Sequence, residues 1–211
     1  MEQFIRVRGI AAPLLRDNID TDLLIPSREM TSPGKEGYGE KLLSPWRYIL
    51  EASGQRRENP DFVLNQAAFR TATFLVAGAN FGSGSSREQA VWALRQFGIR
   101  GVIAPSFGTI FRNNCYRNGV LPIVQPESVV KELAAAAETG KLEMTVDLES
   151  RQVETSQGQV LTYEVPDSER EMLLAGLDAI GMTLKRQSQI NSFQQADRRA
   201  RPWIWLPENT R

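Results

Sequence analysis

A strand, a glycine-rich loop and a helix follow one another between Thr73 and Gly98, and this succession most constrains the fold. Residues 73–77 form a short apolar, β-branched run that predicts a buried strand. From Ser86 to Phe97 the apolar residues recur at helical spacing, and Gly98 is typical of the end of a helix. We therefore expect a strand whose end meets the N-terminus of a helix across a glycine turn.

The same alternation continues along the chain and predicts a parallel sheet with crossover helices. The turn at residues 156–158 separates two further strands, which predicts a β-hairpin unit, and a helix is expected to begin at Asp167. The predicted elements after residue 100 are strands at 101–104, 120–124, 142–148, 151–155 and 160–165, with helices at 109–116 and 126–139.

Ahead of this regular part, we expect a first strand over Phe4 to Ala11 and an acidic loop over residues 17–22. Residues 27–61 hold several prolines and glycines, which predicts a long, mostly irregular loop with a helical turn near residues 46–50. Long loops in compact domains are often functional. Without internal repeats, residues 1–211 are expected to form a single α/β domain with a C-terminal tail over 190–211.

The loop between the strand and the helix carries two hydroxyls and a guanidinium, in Ser85, Ser86 and Arg87, after Gly82 and Gly84. Unpaired N–H groups at a helix N-terminus favour a carboxylate, a phosphate or a developing alkoxide. This predicts an anion site.

A structural interpretation of the same residues is an S-x-x-E capping box formed by Ser85 and Glu88, although such a box does not require Arg87. The residues match the dinucleotide-binding fingerprint poorly, because Arg87 stands where its third glycine would be.

Composition excludes several kinds of chemistry. The chain has no histidine and a single cysteine, Cys115, so it cannot assemble a Ser-His-Asp triad, a His/Cys zinc site or a cysteine-ligated iron–sulfur cluster by itself. Lysine plus arginine and aspartate plus glutamate are equal at 25 each, which argues against a nucleic-acid partner. No apolar run approaches the roughly 20 residues that span a bilayer, and we expect a cytoplasmic protein with no membrane partner.

Two other features keep two interpretations each, and Cys115 has one. Asp20, Thr21 and Asp22 either cap local turns or orient a substrate or partner group at the mouth of the site. Trp203 and Trp205 either cover the core or anchor an interface. Cys115 is interpreted as a buried filler, since two nearby arginines are the only neighbours in sequence that would lower its pKa.

Together these motifs resemble the small subunit of bacterial 3-isopropylmalate dehydratase, which corresponds to the swivelling fourth domain of the aconitase superfamily. The resemblance covers the chain to about residue 190. It rests on the segments at 20–26, 60–65, 80–88, 103–107, 110–114, 121–122 and 176–184.

The resemblance implies a swivelling β/β/α domain and a hydro-lyase that isomerises 2-isopropylmalate to 3-isopropylmalate in leucine biosynthesis. The family's separate large subunit carries the 4Fe-4S cluster and the acid/base histidines, so this chain would bind no cofactor and would work as half of a heterodimer. Ser85 would remove the proton next to a substrate carboxylate, Arg87 would clamp a carboxylate, and Ser86 and Gly84 would help to bind this small dicarboxylate.

The chain departs from the family at Gln89, where histidine is usual, and at Ser83, where many bacterial members have cysteine. In the family the loop that corresponds to residues 27–38 helps to choose the substrate's variable side chain, which makes Arg28, Met30 and Tyr38 candidate specificity residues. A paralogous citraconate/citramalate or dimethylmaleate hydratase would keep the same Ser-Ser-Arg core. A non-catalytic anion-binding α/β domain is the alternative from another class.

Overall fold

The computed structural model describes residues 1–30, 34–84 and 87–205. Its strands are β1 (Arg6–Leu14), β2 (Tyr48–Leu50), β3 (Arg56–Glu58), β4 (Phe74–Ala77), β5 (Gly101–Ala104), β6 (Leu121–Val124), β7 (Glu143–Asp147), β8 (Gln152–Thr155) and β9 (Val160–Thr162). Its α-helices are α1 (Thr21–Leu24), α2 (Ser44–Arg47), α3 (Glu88–Phe97), α4 (Thr109–Arg117), α5 (Glu127–Ala137), α6 (Asp167–Ala175), α7 (Ala179–Leu184) and α8 (Gln187–Ala200).

One seven-stranded sheet has the order β6-β5-β4-β1-β7-β8-β9. Strands β6, β5, β4 and β1 are parallel, and β1, β7, β8 and β9 pair antiparallel. The predicted parallel sheet and hairpin unit are therefore confirmed, and β1 joins them because its first half pairs with β7 and its second half with β4.

Strand β4 is buried on both faces, as its continuous apolar sequence predicts. Phe74 and Val76 pack into the hydrophobic cluster under α5 and α6, whereas Leu75 and Ala77 pack into the cluster under α3 and α4. This alternation follows from the two-residue period of a strand. Helices on both faces of the sheet leave the ends of its parallel strands free to carry a site.

Most predicted boundaries after residue 73 hold to within a few residues. Helix α3 begins at Glu88 and ends at Phe97, and the φ of +115° at the following Gly98 confirms the predicted C-cap. The first strand lies at 6–14 rather than 4–11, because the N–H of Phe4 bonds to the carbonyl of Leu173 in α6 instead of to the sheet.

The prediction for residues 27–61 was partly wrong. The helical turn lies at Ser44–Arg47, and residues 48–50 form a strand that pairs with residues 56–58. The buried guanidinium of Arg47 organises this segment, because it donates to Asn65 Oδ1 and to the carbonyls of Gly39 and Leu42. Such contacts between distant residues leave no local sequence signal.

The C-terminal tail contains a helix that was not predicted, α8, with Asp197 as its buried residue. Trp203 is 76% exposed and does not cover the core. Trp205 is half-buried and donates from Nε1 to Asp197 Oδ2 at 3.0 Å. The helix expected from Asp167 is confirmed as α6.

Candidate functional site

The candidate site lies where β1, β4 and β5 end at the same edge of the sheet. The loops that follow these strands remain paired: Gly82 N–H donates to the carbonyl of Ile19 at 2.7 Å, and Thr21 N–H donates to the carbonyl of Ser83 at 3.0 Å. Phe81 N–H likewise donates to the carbonyl of Ser106. Ligands of parallel sheets bind beyond the carboxyl ends of the strands, and this pairing gives that edge a fixed backbone.

Position 82 requires glycine, both because of its backbone conformation and because a side chain has no space there. Its φ is +72°, and a Cβ at this position would lie 2.1 Å from Cγ of the Phe111 side chain. Two residues later, Gly84 lies against the side chains of Asp20 and Thr21, where a Cβ would lie 3.4 Å from Cβ of Asp20. The glycine loop is thus held between α4 on one side and the acidic loop on the other.

Arg87 is the N-cap residue of α3, and its guanidinium is held in place by the acidic loop. Its Nη1 lies 2.5 Å from Asp22 Oδ1 and donates to the carbonyl of Ile25 at 3.3 Å. The side chain is 20% exposed. Because a guanidinium has five N–H donors in a planar fork, Arg87 can hold these partners and still present donors to a carboxylate.

Ser85 and Ser86 lie outside the described residues. The residues before and after them are placed, since Gly84 packs against Asp20 and Arg87 pairs with Asp22. Both predicted groups of site residues, the glycine loop and the acidic loop, therefore lie together at one edge of the sheet.

The three acidic-loop residues differ in what they do. Asp20 caps α1, since its Oδ1 accepts from the N–H of Leu23 at 2.7 Å, which is the structural interpretation of this residue. Thr21 is fully buried. Asp22 is about half exposed and makes the ion pair with Arg87. Asp22 is thus the member of this loop whose side chain reaches a predicted binding residue.

The three candidate specificity residues also differ in their exposure to solvent. Arg28 is exposed and Met30 packs partly buried against the core. Tyr38 is 2% exposed, and its ring packs edge-on against Trp92 of α3 at 5.7 Å between ring centroids. The large ring of Tyr38 is therefore removed from water in contact with α3, and its part in substrate specificity stays a prediction.

A buried carboxylate that the sequence did not reveal fixes the loop at Arg28 and Met30. Glu29 lies 2.5 Å from the Arg56 guanidinium of β3 and accepts a hydrogen bond from Ser44 Oγ. Burial alone would raise the pKa of Glu29, but the hydrogen bond and charge of Arg56 outweigh it and hold that pKa below its ordinary value. The loop is thereby tied to the β2–β3 hairpin.

Asn118, at the end of α4, is a second residue that sequence reasoning missed. Its Nδ2 donates to Glu88 Oε1 at 3.0 Å, and its Oδ1 accepts from Nε1 of Trp92. Asn118 thus secures the first turn of α3, directly after Arg87. An Asn-Gly pair predicts a turn, and nothing local predicts this longer contact.

Within residues 1–30, 34–84 and 87–205 there is no group of three histidine, cysteine, aspartate or glutamate residues that could hold a metal ion. Cys115 is fully buried, and burial raises the pKa of its thiol well above the ordinary value, which confirms its interpretation as a filler. No helix in the described part of the chain is both long enough and apolar enough to span a membrane.

Residues 1–128 match the family model of the aconitase C-terminal domain. The chain is 52% identical to the 3-isopropylmalate dehydratase small subunit of Cupriavidus necator, covering 97% of this chain and 98% of that protein. It is 47% identical to that of Roseobacter denitrificans, covering 97% of this chain and all of that protein. A solved structure, the 3-isopropylmalate dehydratase LeuD of Methanocaldococcus jannaschii, is 26% identical with a TM-score of 0.63 and covers 90% of this chain and 99% of that one.

Proposed function

Because this chain belongs to the family of 3-isopropylmalate dehydratase small subunits, which carry the aconitase C-terminal domain, we propose that it supplies the substrate-binding loop and the catalytic base of that enzyme. It is the small subunit of a hydro-lyase. The reaction is the isomerisation of 2-isopropylmalate to 3-isopropylmalate by dehydration and rehydration in leucine biosynthesis. The whole chain acts as one swivelling domain, in the cytoplasm.

The observation that carries the proposal is the anchored guanidinium of Arg87. An exposed arginine would lose side-chain entropy when it binds a carboxylate, whereas Arg87 is already held by Asp22 and the carbonyl of Ile25. The remaining donors of its fork bind a substrate carboxylate in two parallel hydrogen bonds. Arg87 thereby fixes the substrate at the end of β4.

Ser85 acts as the base that removes the proton from the carbon next to a carboxylate. A hydroxyl is a very weak base, so its alkoxide needs stabilisation by N–H groups and nearby cations in a site closed to water. Arg87 supplies such a charge two residues away in sequence, and Ser86 and Gly84 contribute hydrogen bonds to the substrate.

The chain's own residues do not fit an iron–sulfur cluster, since its one cysteine is fully buried and it has no histidine. We therefore assign the 4Fe-4S cluster and its ligands to the large subunit, with which this chain forms a heterodimer. Neither subunit should turn over substrate alone.

The loop after Ile25 chooses the substrate's variable side chain. Arg28 and Met30 lie close in sequence to the carbonyl that holds Arg87, and the ion pair between Glu29 and Arg56 keeps this part of the loop in place. Tyr38 supports the loop from inside the core. Which dicarboxylate is preferred thus depends on Arg28 and Met30.

The test is to mix this chain anaerobically with the large subunit from the same organism and to follow the absorbance of isopropylmaleate, citraconate and dimethylmaleate. We expect activity only when the two subunits are mixed, and the fastest reaction with isopropylmaleate. Preference for another substrate would leave the proposed mechanism unchanged but would assign the enzyme to a different pathway. Inactivity on all three with an intact cluster would favour a non-catalytic anion-binding domain.

Ser85→Ala should abolish turnover in this assay, with Ser83→Ala as the matched control. Ser83 is the serine two residues earlier in the same loop, and it pairs with the N–H of Thr21 through its backbone carbonyl. Full activity of Ser85→Ala would rule out its role as the base.

A further inference from the structure

Helices α7 and α8 carry large apolar side chains that this chain leaves in water. Ile180, Leu184 and Phe193 are all more than half exposed, and Phe193 is 65% exposed. Along α8, Asp197 is the buried residue. An exposed apolar surface of this extent, rimmed by charge, is typical of an interaction site.

These helices and α6 enclose a groove of about 890 Å³, called here the C-terminal groove. Its apolar wall is formed by Met172, Met182, Ile190, Phe193 and Trp205. Methionine and aromatic side chains of this kind adapt well to an apolar partner surface.

One end of the C-terminal groove is held in a fixed arrangement by Asp197. Its carboxylate accepts from Nε of Arg201 at 2.7 Å and from Nε1 of Trp205 at 3.0 Å. The guanidinium of Arg198 lies over the ring of Trp205, 4.6 Å from its centroid. Trp205 is thus already oriented at the groove, so a partner need not order it on binding.

The rim of the C-terminal groove carries more basic than acidic groups. Lys185 pairs with Glu171, and Arg117 and Arg186, which make no ion pair with any described residue, outnumber the remaining carboxylate, Glu169. Arg199 follows at the end of α8. A complementary partner surface would be apolar at its centre and acidic at its edge.

The C-terminal groove is continuous with the candidate site. Glu169 lines both this groove and a neighbouring depression of about 390 Å³, which extends to Ser106 and Phe107. Ser106 accepts from the N–H of Asn80 at its hydroxyl and from the N–H of Phe81 at its carbonyl. One surface therefore runs from the C-terminal helices to the edge of the sheet that carries Arg87.

We propose that the C-terminal groove is a docking surface for the large subunit of the dehydratase, which inserts an apolar segment with acidic flanking residues. The inference rests on the proposed function, since a large subunit that completes the site must approach the edge where this surface begins. Docking at the groove sets the affinity between the subunits, whereas the loops at Gly82 to Arg87 carry out the chemistry.

The experiment titrates the large subunit with wild-type and variant small subunit under anaerobic conditions and measures the dissociation constant and the kcat at saturation. Phe193→Asp should raise the dissociation constant by about tenfold or more, as for an aromatic interface anchor, while leaving the saturating kcat unchanged. The matched control is Val160→Asp on β9, an exposed apolar residue outside the groove, which should change the dissociation constant by less than about twofold.

Arg186→Glu is a second variant, which tests the charge at the rim without altering the apolar wall. It should weaken association and reduce the dependence of the dissociation constant on salt, because a charge attracted by the partner is reversed. Circular dichroism confirms that each variant is folded.

Three results would overturn the inference. If wild-type chain binds the large subunit and both groove variants bind as tightly, the groove is not the docking surface, although the proposed function stands. If Phe193→Asp instead abolishes a homodimer of the isolated chain, seen by light scattering, and leaves the affinity for the large subunit unchanged, the occupant is a second copy. If the wild-type chain does not bind the large subunit at all, the proposed function fails and this inference fails with it.

Discussion

Replacing Gly82 with alanine tests whether the glycine loop is fixed by contact with α4. The added Cβ would lie 2.1 Å from Cγ of Phe111, a side chain that is 1% exposed. Phe111 packs edge-on against Phe81 with 5.6 Å between ring centroids, so its ring cannot move without disturbing the core. Gly158 provides a matched control, since its φ is +86° and a Cβ there meets open space.

The expected loss of stability is worked out by comparing the alanine variants of these two glycines. An alanine at positive φ costs about 1–2 kcal/mol, and the loss of unfolded-state freedom offsets about 0.4–1 kcal/mol of that. Both variants share these contributions. Gly82→Ala adds the displacement of a buried ring, about 1–3 kcal/mol. The free energy of unfolding should therefore fall by about 1–3 kcal/mol more for Gly82→Ala than for Gly158→Ala.

The assay is urea unfolding of both variants, followed by tryptophan fluorescence and far-ultraviolet circular dichroism. If the same variants are unfolded by heat instead, each kcal/mol corresponds to about 2–4 °C in the melting temperature for a chain of this length. In the assembled enzyme Gly82→Ala should also lower turnover, because Ser83 and Gly84 must shift with the loop. Equal unfolding midpoints for the two variants would refute the reasoning, since they would show that Phe111 does not confine this loop.

Two substitutions near the site and one reactivity measurement in the core give the remaining predictions. Arg87→Lys keeps the charge beside Asp22 but loses the fork, so the KM of the assembled enzyme should rise by about tenfold, and an unchanged KM would contradict the clamp. Glu29→Gln should destabilise the chain by about 1–3 kcal/mol at pH 7 through its contact with Arg56. Because the folded pKa of Glu29 is below its unfolded value near 4.5, its stabilisation is complete above that pH and is lost as the pH falls through the folded pKa. The free energy of unfolding of Glu29→Gln should therefore fall less steeply as the pH is lowered than that of the wild type. Parallel curves of stability against pH for the two proteins would contradict this prediction. Cys115 should react with a thiol reagent far more slowly in the native protein than in urea, because burial disfavours its thiolate; similar rates would contradict that burial.

Much of the fold could be predicted because its signals are local. The apolar runs of β4 and β5 are continuous, as strands buried on both faces require, and Gly98 ends α3 in the left-handed conformation that glycine favours. The elements that were missed depend on distant partners. The β2–β3 hairpin is held by Arg56 and Glu29, which are far apart in the sequence, and α8 lacks the buried apolar face by which helices are usually recognised.

The candidate site was likewise predicted only in part from the sequence. Ser85, Ser86 and Arg87 were identified from residue types beside a predicted helix N-terminus, which is a local pattern independent of any tertiary contact. Asp22 was named for its charge, but its partner in this chain, Arg87, was found only in the folded structure. Tyr38 was named as part of the specificity loop, and only the structure showed that its ring is buried against Trp92, because such burial is a property of the packed chain.

The sequence by itself determined the class of fold, the family and the chemistry that is excluded, because hydrophobic period, turn residues and the absence of histidine are properties of the chain alone. Only the tertiary structure decided which groups meet: Gly82 against Phe111, Asp22 with Arg87, Glu29 with Arg56, and the apolar side chains that line a groove along α8. The physical reason is that a contact between distant residues is selected by the free energy of the whole packed molecule, which no local pattern records.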